Sequence, residues 1–409
     1  MHGAPLAHEV GRDAAAPHLV TDAARQADGL APPSSRRRAS VFRSGGRPRS
    51  SRSPKLETFD AVKFGIDADQ GHVISGYVAP DNQLAVSRVR VSVEGRSVLE
   101  VSATGVDEGI RASGWHATGL CRFVIDEHNL PGLSEIRNLD IHDVDTNVLI
   151  HRRAVGSEFC DKKLLLINAS INEDPALQDS LYPHFEMSYF NINKFPEDIL
   201  AHILGNPYIK SRLFAGSLLI PRYEGEYDFG NCISALLVED PFVEMARRMF
   251  WLRSRAALVD DEAQSWRLGD LIEAVRFAAE TDYDDIKSVK HFFRMLPQEA
   301  YRLLFNPLTR VLATRLPDDR IFPANSIIAV EVLARIGIVG HRNYYEAFAA
   351  TVFDRLEIVA PPPSPSPIPA EILAFAERLR GIKAAVDFLV FDEVISRSVQ
   401  DAVARNWAG

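Results

Sequence analysis

The chain has 409 residues, 46% hydrophobic and 25% charged, which is the composition of a folded soluble protein and too much chain for one ordinary core. A formal net charge of −9 argues against nucleic acid as a partner, because a phosphate backbone demands a basic footprint. No apolar run approaches the roughly 18–20 residues of a membrane-spanning helix, and the three cysteines, Cys121, Cys160 and Cys232, form no CxxC pattern.

Residues 1–58 are rich in Ala, Pro, Ser and Arg, and no apolar h-region of a secretory signal is present. Between Leu30 and Lys55 there is no acid, while Arg36, Arg37, Arg38, Arg43, Arg47, Arg49, Arg52 and Lys55 are basic. With so little to bury, this stretch is expected to be a disordered basic tail. Its plainer reading is a solvated segment; the sharper one is a peripheral tether to anionic lipid in an otherwise cytoplasmic protein.

From 59 to 153 the hydrophobic period is two. Val73–Val78, Arg88–Val93, Ser97–Val101, Cys121–Ile125 and Leu139–Asp143 read as strands, separated by turn residues such as Glu94-Gly95 and Asp145-Thr146-Asn147. Short strands at this spacing predict a small, self-contained β-sandwich. Trp115 in its Gly114–His116 loop is either a stacking surface for a sugar or a core residue.

A second region, 162–358, opens on Lys163–Asn168, a continuous apolar run of the kind buried on both faces of a parallel sheet. Helices are expected from about Ala176 and over Pro196–Leu204, and strands over Leu213–Ile220 and Ile233–Val238. Glu239-Asp240-Pro241 then breaks the chain into a helix with Phe242, Met245, Ala246, Met249 and Phe250 on one face and Glu244, Arg247 and Arg248 on the other. Leu268, Leu271, Ile272, Val275 and Ala279 predict one amphipathic helix. Residues 360–369 (APPPSPSPIP) read as a stiff Pro-rich linker, and 370–409 as a helical extension with one long apolar pattern.

The order of these elements resembles the PAPS-dependent carbohydrate sulfotransferases, which have a P-loop-kinase-like fold. Leu164–Leu181 is similar to their opening strand–loop–helix. Leu237–Phe250 is similar to their strand followed by R-[DE]-P-x-x-R-x-x-S. Asn306, Thr309 and Arg310 match an Asn-x-x-Thr-Arg segment, and Val330–Phe348 approximates the closing helix–strand–helix. The resemblance implies an α/β parallel-sheet domain, a PAPS cofactor and a glycan or glycolipid acceptor. It implies catalytic roles for Asp240 and Asn306, and donor contacts from Asn168, Ser170, Arg247, Arg248, Thr309 and Arg310.

The donor motifs depart from the pattern. The first loop, Asn168–Pro175, has no Lys and no Gly, and carries Glu173 and Asp174. Glu239 and Glu244 stand where the pattern has arginines, and Arg247 where it has serine. Carboxylates at phosphate-binding positions repel the ligand once water is excluded. Three readings therefore stay open: a sulfotransferase-like enzyme of cell-surface polysaccharide or glycolipid modification, a non-catalytic glycan-binding or scaffolding relative, and a glycosyltransferase-like enzyme with another donor. A basic cleft beside Asn168–Pro175 and Glu239–Pro241 favours the first, a filled cleft the second and an acidic one the third.

Elsewhere, His184, His202, His291 and His341 read as structural, Asp282, Asp284 and Asp285 as a solvated helix-capping loop in preference to a divalent-cation site, and no HExxH or tight His/Asp cluster is present.

Overall fold

The computed structural model describes residues 62–407, apart from 81, 156–157, 173, 206–209, 226–231 and 262–264, and without the side chains of Asp198, His202, Trp266 and Arg267. The expected basic tail and Glu173 lie outside the described residues. Everything described belongs to one unit, Pro54–Gly409.

The first part is two antiparallel sheets. One has the order β1 (Val62–Asp69), β2 (Val73–Pro80), β6 (Leu120–Asp126), β5 (Gly105–Val106); the other β4 (Arg96–Ser102), β3 (Arg88–Val93), β7 (Asn138–Asp143), β8 (Leu149–Ala154). Alternation decides which side chains point inward. Ile74, Val78, Phe123 and Ile125 of the first sheet share one apolar cluster with Val89, Val91, Leu139 and Ile141 of the second. Glu94 and Gly95, both at positive φ, close the β3–β4 hairpin with the backbone twist a two-residue turn requires. Sequence periodicity missed β1 and β8, whose partly buried residues alternate poorly. Trp115 takes the core reading. It packs with Tyr77 on Ile110, Ala79 and Cys121, and the Lys63 ammonium lies 5.2 Å above its ring.

The sheets are clasped at one end by Asp69. Arg153 reaches it from β8 through Nε at 2.8 Å and Nη2 at 2.5 Å, and His151 Nε2 lies 2.8 Å away. Burial opposes ionisation of Asp69, but the bonds from Arg153 and His151 outweigh it and hold the carboxyl well below the usual range.

The second part is a five-stranded parallel sheet of order β10 (Met187–Tyr189), β11 (Arg212–Gly216), β9 (Lys163–Ile167), β12 (Cys232–Val238), β13 (Ile338–His341). Its central strand is apolar from Leu164 to Ile167 because both faces are covered there. Leu164 and Leu166 point to a cluster with Leu177, Phe348 and Val352; Leu165 and Ile167 point to the opposite one with Leu312, Val332 and Ile395. The second cluster also contains the sandwich core, and Phe64 meets Phe195 edge-on at 6.0 Å. Arg152 adds bonds to the carbonyls of Tyr182 and Phe185, so the sandwich packs directly on this part.

A third apolar cluster draws on helices and their connecting turns, with no strand. It joins the helices Pro241–Ser254, Ile272–Glu280, Ile286–Met295 and Gln298–Leu304 to the Ala370–Arg380 helix. Three expectations need correction. The strand expected over Leu213–Ile220 ends at Gly216, and Ile220 opens a short helix, Ile220–Tyr223. The Leu268–Ala279 face is split, because Gly269 at φ 50° kinks the 3₁₀ run Ser265–Leu271 that precedes the Ile272–Glu280 helix. The C-terminal pattern is three helices, Ala370–Arg380, Lys383–Phe388 and Val390–Trp407.

Asp69→Asn leaves Arg153 buried without its anion, so it should destabilise the protein by about 3 kcal/mol at neutral pH. Asp69 is ionised in the fold below the pH at which the unfolded chain protonates it. Its contribution is therefore complete above the unfolded pKa of about 4 and declines as pH falls below that value. Urea unfolding of both forms from pH 7 to pH 2.5 checks this; a gap that does not narrow in acid contradicts it.

Candidate functional site

The topology marks one place for a ligand. From β9 the chain leaves towards β10 at one side of the sheet, and from the adjacent β12 it leaves towards β13 at the other. The crevice between the carboxyl ends of two such strands is the usual binding position in open parallel sheets. The loop Asn168–Asn172 and the segment Glu239–Pro241 flank it.

Asn168 folds the loop back on itself. Its Oδ1 accepts from Ser170 N at 3.0 Å, and its own N–H donates to Gly216 O at 2.9 Å. That turn aims the Ser170 hydroxyl and the Ile171 N–H at the first turn of the Pro241–Ser254 helix. Both donate to Glu244, at 2.5 Å and 2.7 Å, and Arg248 Nε donates to the same carboxylate at 2.7 Å. Arg248 is further spent on Ala169 O and Leu303 O. Glu244 and Arg248 are buried, with side chains 8% and 10% exposed. The polar face of this helix is thus an internal ion-pair layer.

Arg247 pairs with Glu239 at 2.8 Å. Burial raises the Glu239 pKa, with Arg247 opposing. Asp240 caps the helix, accepting from Phe242 N and Val243 N at 2.9 Å and 3.1 Å, while its other oxygen takes Arg380 Nη2 at 2.5 Å. Arg342, just beyond β13, pairs with Asp174 at 2.9 Å. The Pro-rich segment closes over that pair, since Ser366 Oγ donates to Asp174 and Ser366 O accepts from Arg342. At the crevice four carboxylates, Asp174, Glu239, Asp240 and Glu244, thus meet four guanidinium groups, Arg342, Arg247, Arg380 and Arg248.

The structure divides the expected site residues. Asn168, Ser170, Asp240, Arg247 and Arg248 come together here. Asn306, Thr309 and Arg310 do not; Asn306 and Thr309 anchor the C-terminal helix, and Arg310 ties down the loop after its own helix. Asn306, at φ 45°, accepts from Phe391 N and Asp392 N at 2.9 Å and 3.1 Å. Asp392 returns the contact, accepting from Leu308 N, Thr309 N and Thr309 Oγ1 at 2.9, 2.8 and 2.6 Å. Arg310 donates to Pro317 O and Asp319 O. Asn306 and Thr309 are both fully buried.

A second link ties the same helix to the crevice. His341 Nδ1 accepts from Asn343 N, so its proton sits on Nε2, which donates to Ser396 Oγ at 3.3 Å; Ser396 in turn donates to Glu239 O. Burial lowers the His341 pKa and keeps the ring neutral.

Sequence reasoning missed Asp174's partner Arg342, and also Arg380, Asp392 and Ser396. Only the Glu244–Arg248 pair carries a local signal, its i,i+4 spacing. Asp285 caps the Ile286–Met295 helix, and the three cysteines are free. Among the described residues, no group of three His, Cys, Asp or Glu side chains is placed to hold a metal, and no helix is long and apolar enough to cross a membrane. Compared with known protein families and with characterised proteins, the chain matches none.

Burial pushes the Asp392 pKa up to about 6, against the bonds from Thr309 and Leu308 and the field of Arg248. The folded protein then holds a proton between pH 4 and pH 6 that the unfolded chain has released. This group's contribution accordingly falls as pH rises through that window, by about 3 kcal/mol. The stability difference between wild type and Asp392→Asn should move towards wild type by that amount from pH 7 to pH 4. A pH-independent difference contradicts the assignment.

Proposed function

We propose that this protein is a non-catalytic glycan-binding or scaffolding relative of the sulfotransferase-like, P-loop-kinase-like class. The observation that carries the reading is Glu244. Its carboxylate takes the Ser170 hydroxyl, the Ile171 N–H and Arg248 Nε, the donors at the strand-switch crevice that an oxyanion would need. The parallel sheet with its first strand central, and the crevice between β9 and β12, support the class.

PAPS does not fit these residues. A donor phosphate about 4 Å from Glu244 or Glu239 meets roughly 4 kcal/mol of repulsion per unit charge at an effective dielectric of 20. The guanidinium groups that would offset it are held by the chain's own carboxylates. The glycosyltransferase-like alternative asks Glu239 and Asp240 to share a metal, but each is turned to its own arginine. The partner class that follows from the resemblance is a glycan or glycolipid, with the basic N-terminal segment as a peripheral contact to anionic membrane.

Calorimetric titration of adenosine 3′,5′-bisphosphate into the full chain tests the reading. No saturable binding is expected up to about 1 mM, a free energy weaker than about −4 kcal/mol. Micromolar binding that survives physiological salt overturns it and returns the weight to a sulfotransferase. Glu244→Ala frees the three donors, and should bind inorganic phosphate more tightly than wild type does.

A further inference from the structure

The Pro323–Leu333 helix covers the parallel sheet with Ala329 and Val332, yet its outer side is also apolar. Phe322 is 58% exposed, Ile327 64%, Ile328 40% and Val330 51%, and Val394 on the neighbouring Val390–Trp407 helix is 58% exposed. A helix with apolar side chains on two opposite sides is normally covered on both. Pro323, Ile327, Val330 and Ala334, all exposed, repeat at spacings of four, three and four, the stripe by which helices pair with one another.

We propose that this face is the contact between two copies of the chain, related by a two-fold axis with the helices antiparallel. Two observations select a second copy as the occupant. The first is area. The exposed parts of Phe322, Ile327, Ile328, Val330 and Val394 come to roughly 450 Å², close to the apolar share of the ~800 Å² each partner contributes to a standard interface. The second is charge. No charged residue lies between Arg320 and Glu331, both of which are exposed. Antiparallel pairing sets Arg320 of one copy beside Glu331 of the other, twice by symmetry, and lays Phe322 against Val330. An isologous interface needs that kind of self-complementarity, with an apolar centre and opposite charges at its two ends.

Sedimentation velocity of the full chain from about 1 to 100 µM tests the proposal. The wild type should pass from monomer to dimer in this range. Ile327→Asp should weaken the dimer at least about tenfold, with a melting temperature unchanged at concentrations where both proteins are monomeric, because the side chain faces outward. Arg320→Glu and Glu331→Arg should each weaken it, and together restore it; this pair leaves the apolar face intact should Ile327→Asp fold poorly. A wild type that stays monomeric throughout overturns the proposal. So does a dimer unaffected by Ile327→Asp, or one that the double charge exchange fails to rescue.

Discussion

A carboxylate in the first turn of a helix, turned back onto the loop before it, holds the centre of this molecule together. Glu244 binds the β9 loop, the Arg248 side chain one turn on and, through Arg248, the carbonyls of Ala169 and Leu303. Removing two charges from water is costly, and such a pair stabilises little against apolar residues of the same shape. What it does fix is position. The loop has no freedom to wrap around an incoming anion while its N–H and hydroxyl are engaged.

The same constraint explains the C-terminal third. Each carboxylate and arginine at the crevice needs a partner, and the C-terminal region supplies two of them: Arg380 for Asp240, and Ser366 for the Asp174–Arg342 pair. The last helix is then locked by a reciprocal exchange in which Asn306 caps its start and Asp392 caps the Pro307–Ala313 helix. Asn306 and Thr309, which look like site residues in sequence, serve as this joint. A Pro-rich stretch that reads as a spacer crosses the crevice and is hydrogen-bonded there.

Much of the fold is legible from the chain because burial leaves a periodic record. Arg88–Val93 alternates, Leu164–Ile167 is apolar on both faces, and Asp240-Pro241 marks a helix start; each forms as expected. The edges were harder. β1 and β8 carry mixed residues because each has one partly solvated face, and the Gly269 break hides inside a good helical pattern. In the site, sequence placed Ser170, Arg247 and Arg248 at one crevice and flagged Glu239 and Glu244 as charge reversals. It did not show that Asp174 and Asp240 are neutralised as well, because their partners Arg342 and Arg380 come from segments 168 and 140 residues away and close on the crevice only in the folded chain.

Amide hydrogen exchange at Ile171 in the ligand-free protein tests the self-filled crevice most directly. Its N–H lies in a loop outside any sheet ladder, where its hydrogen bond to the Glu244 carboxylate protects it. The account predicts slow exchange in the wild type that becomes fast in Glu244→Ala, with the sheet amides of Leu165 and Leu236 unchanged. Exchange at the rate of an open loop in the wild type would show that Glu244 leaves the crevice free for another anion, and would contradict the account.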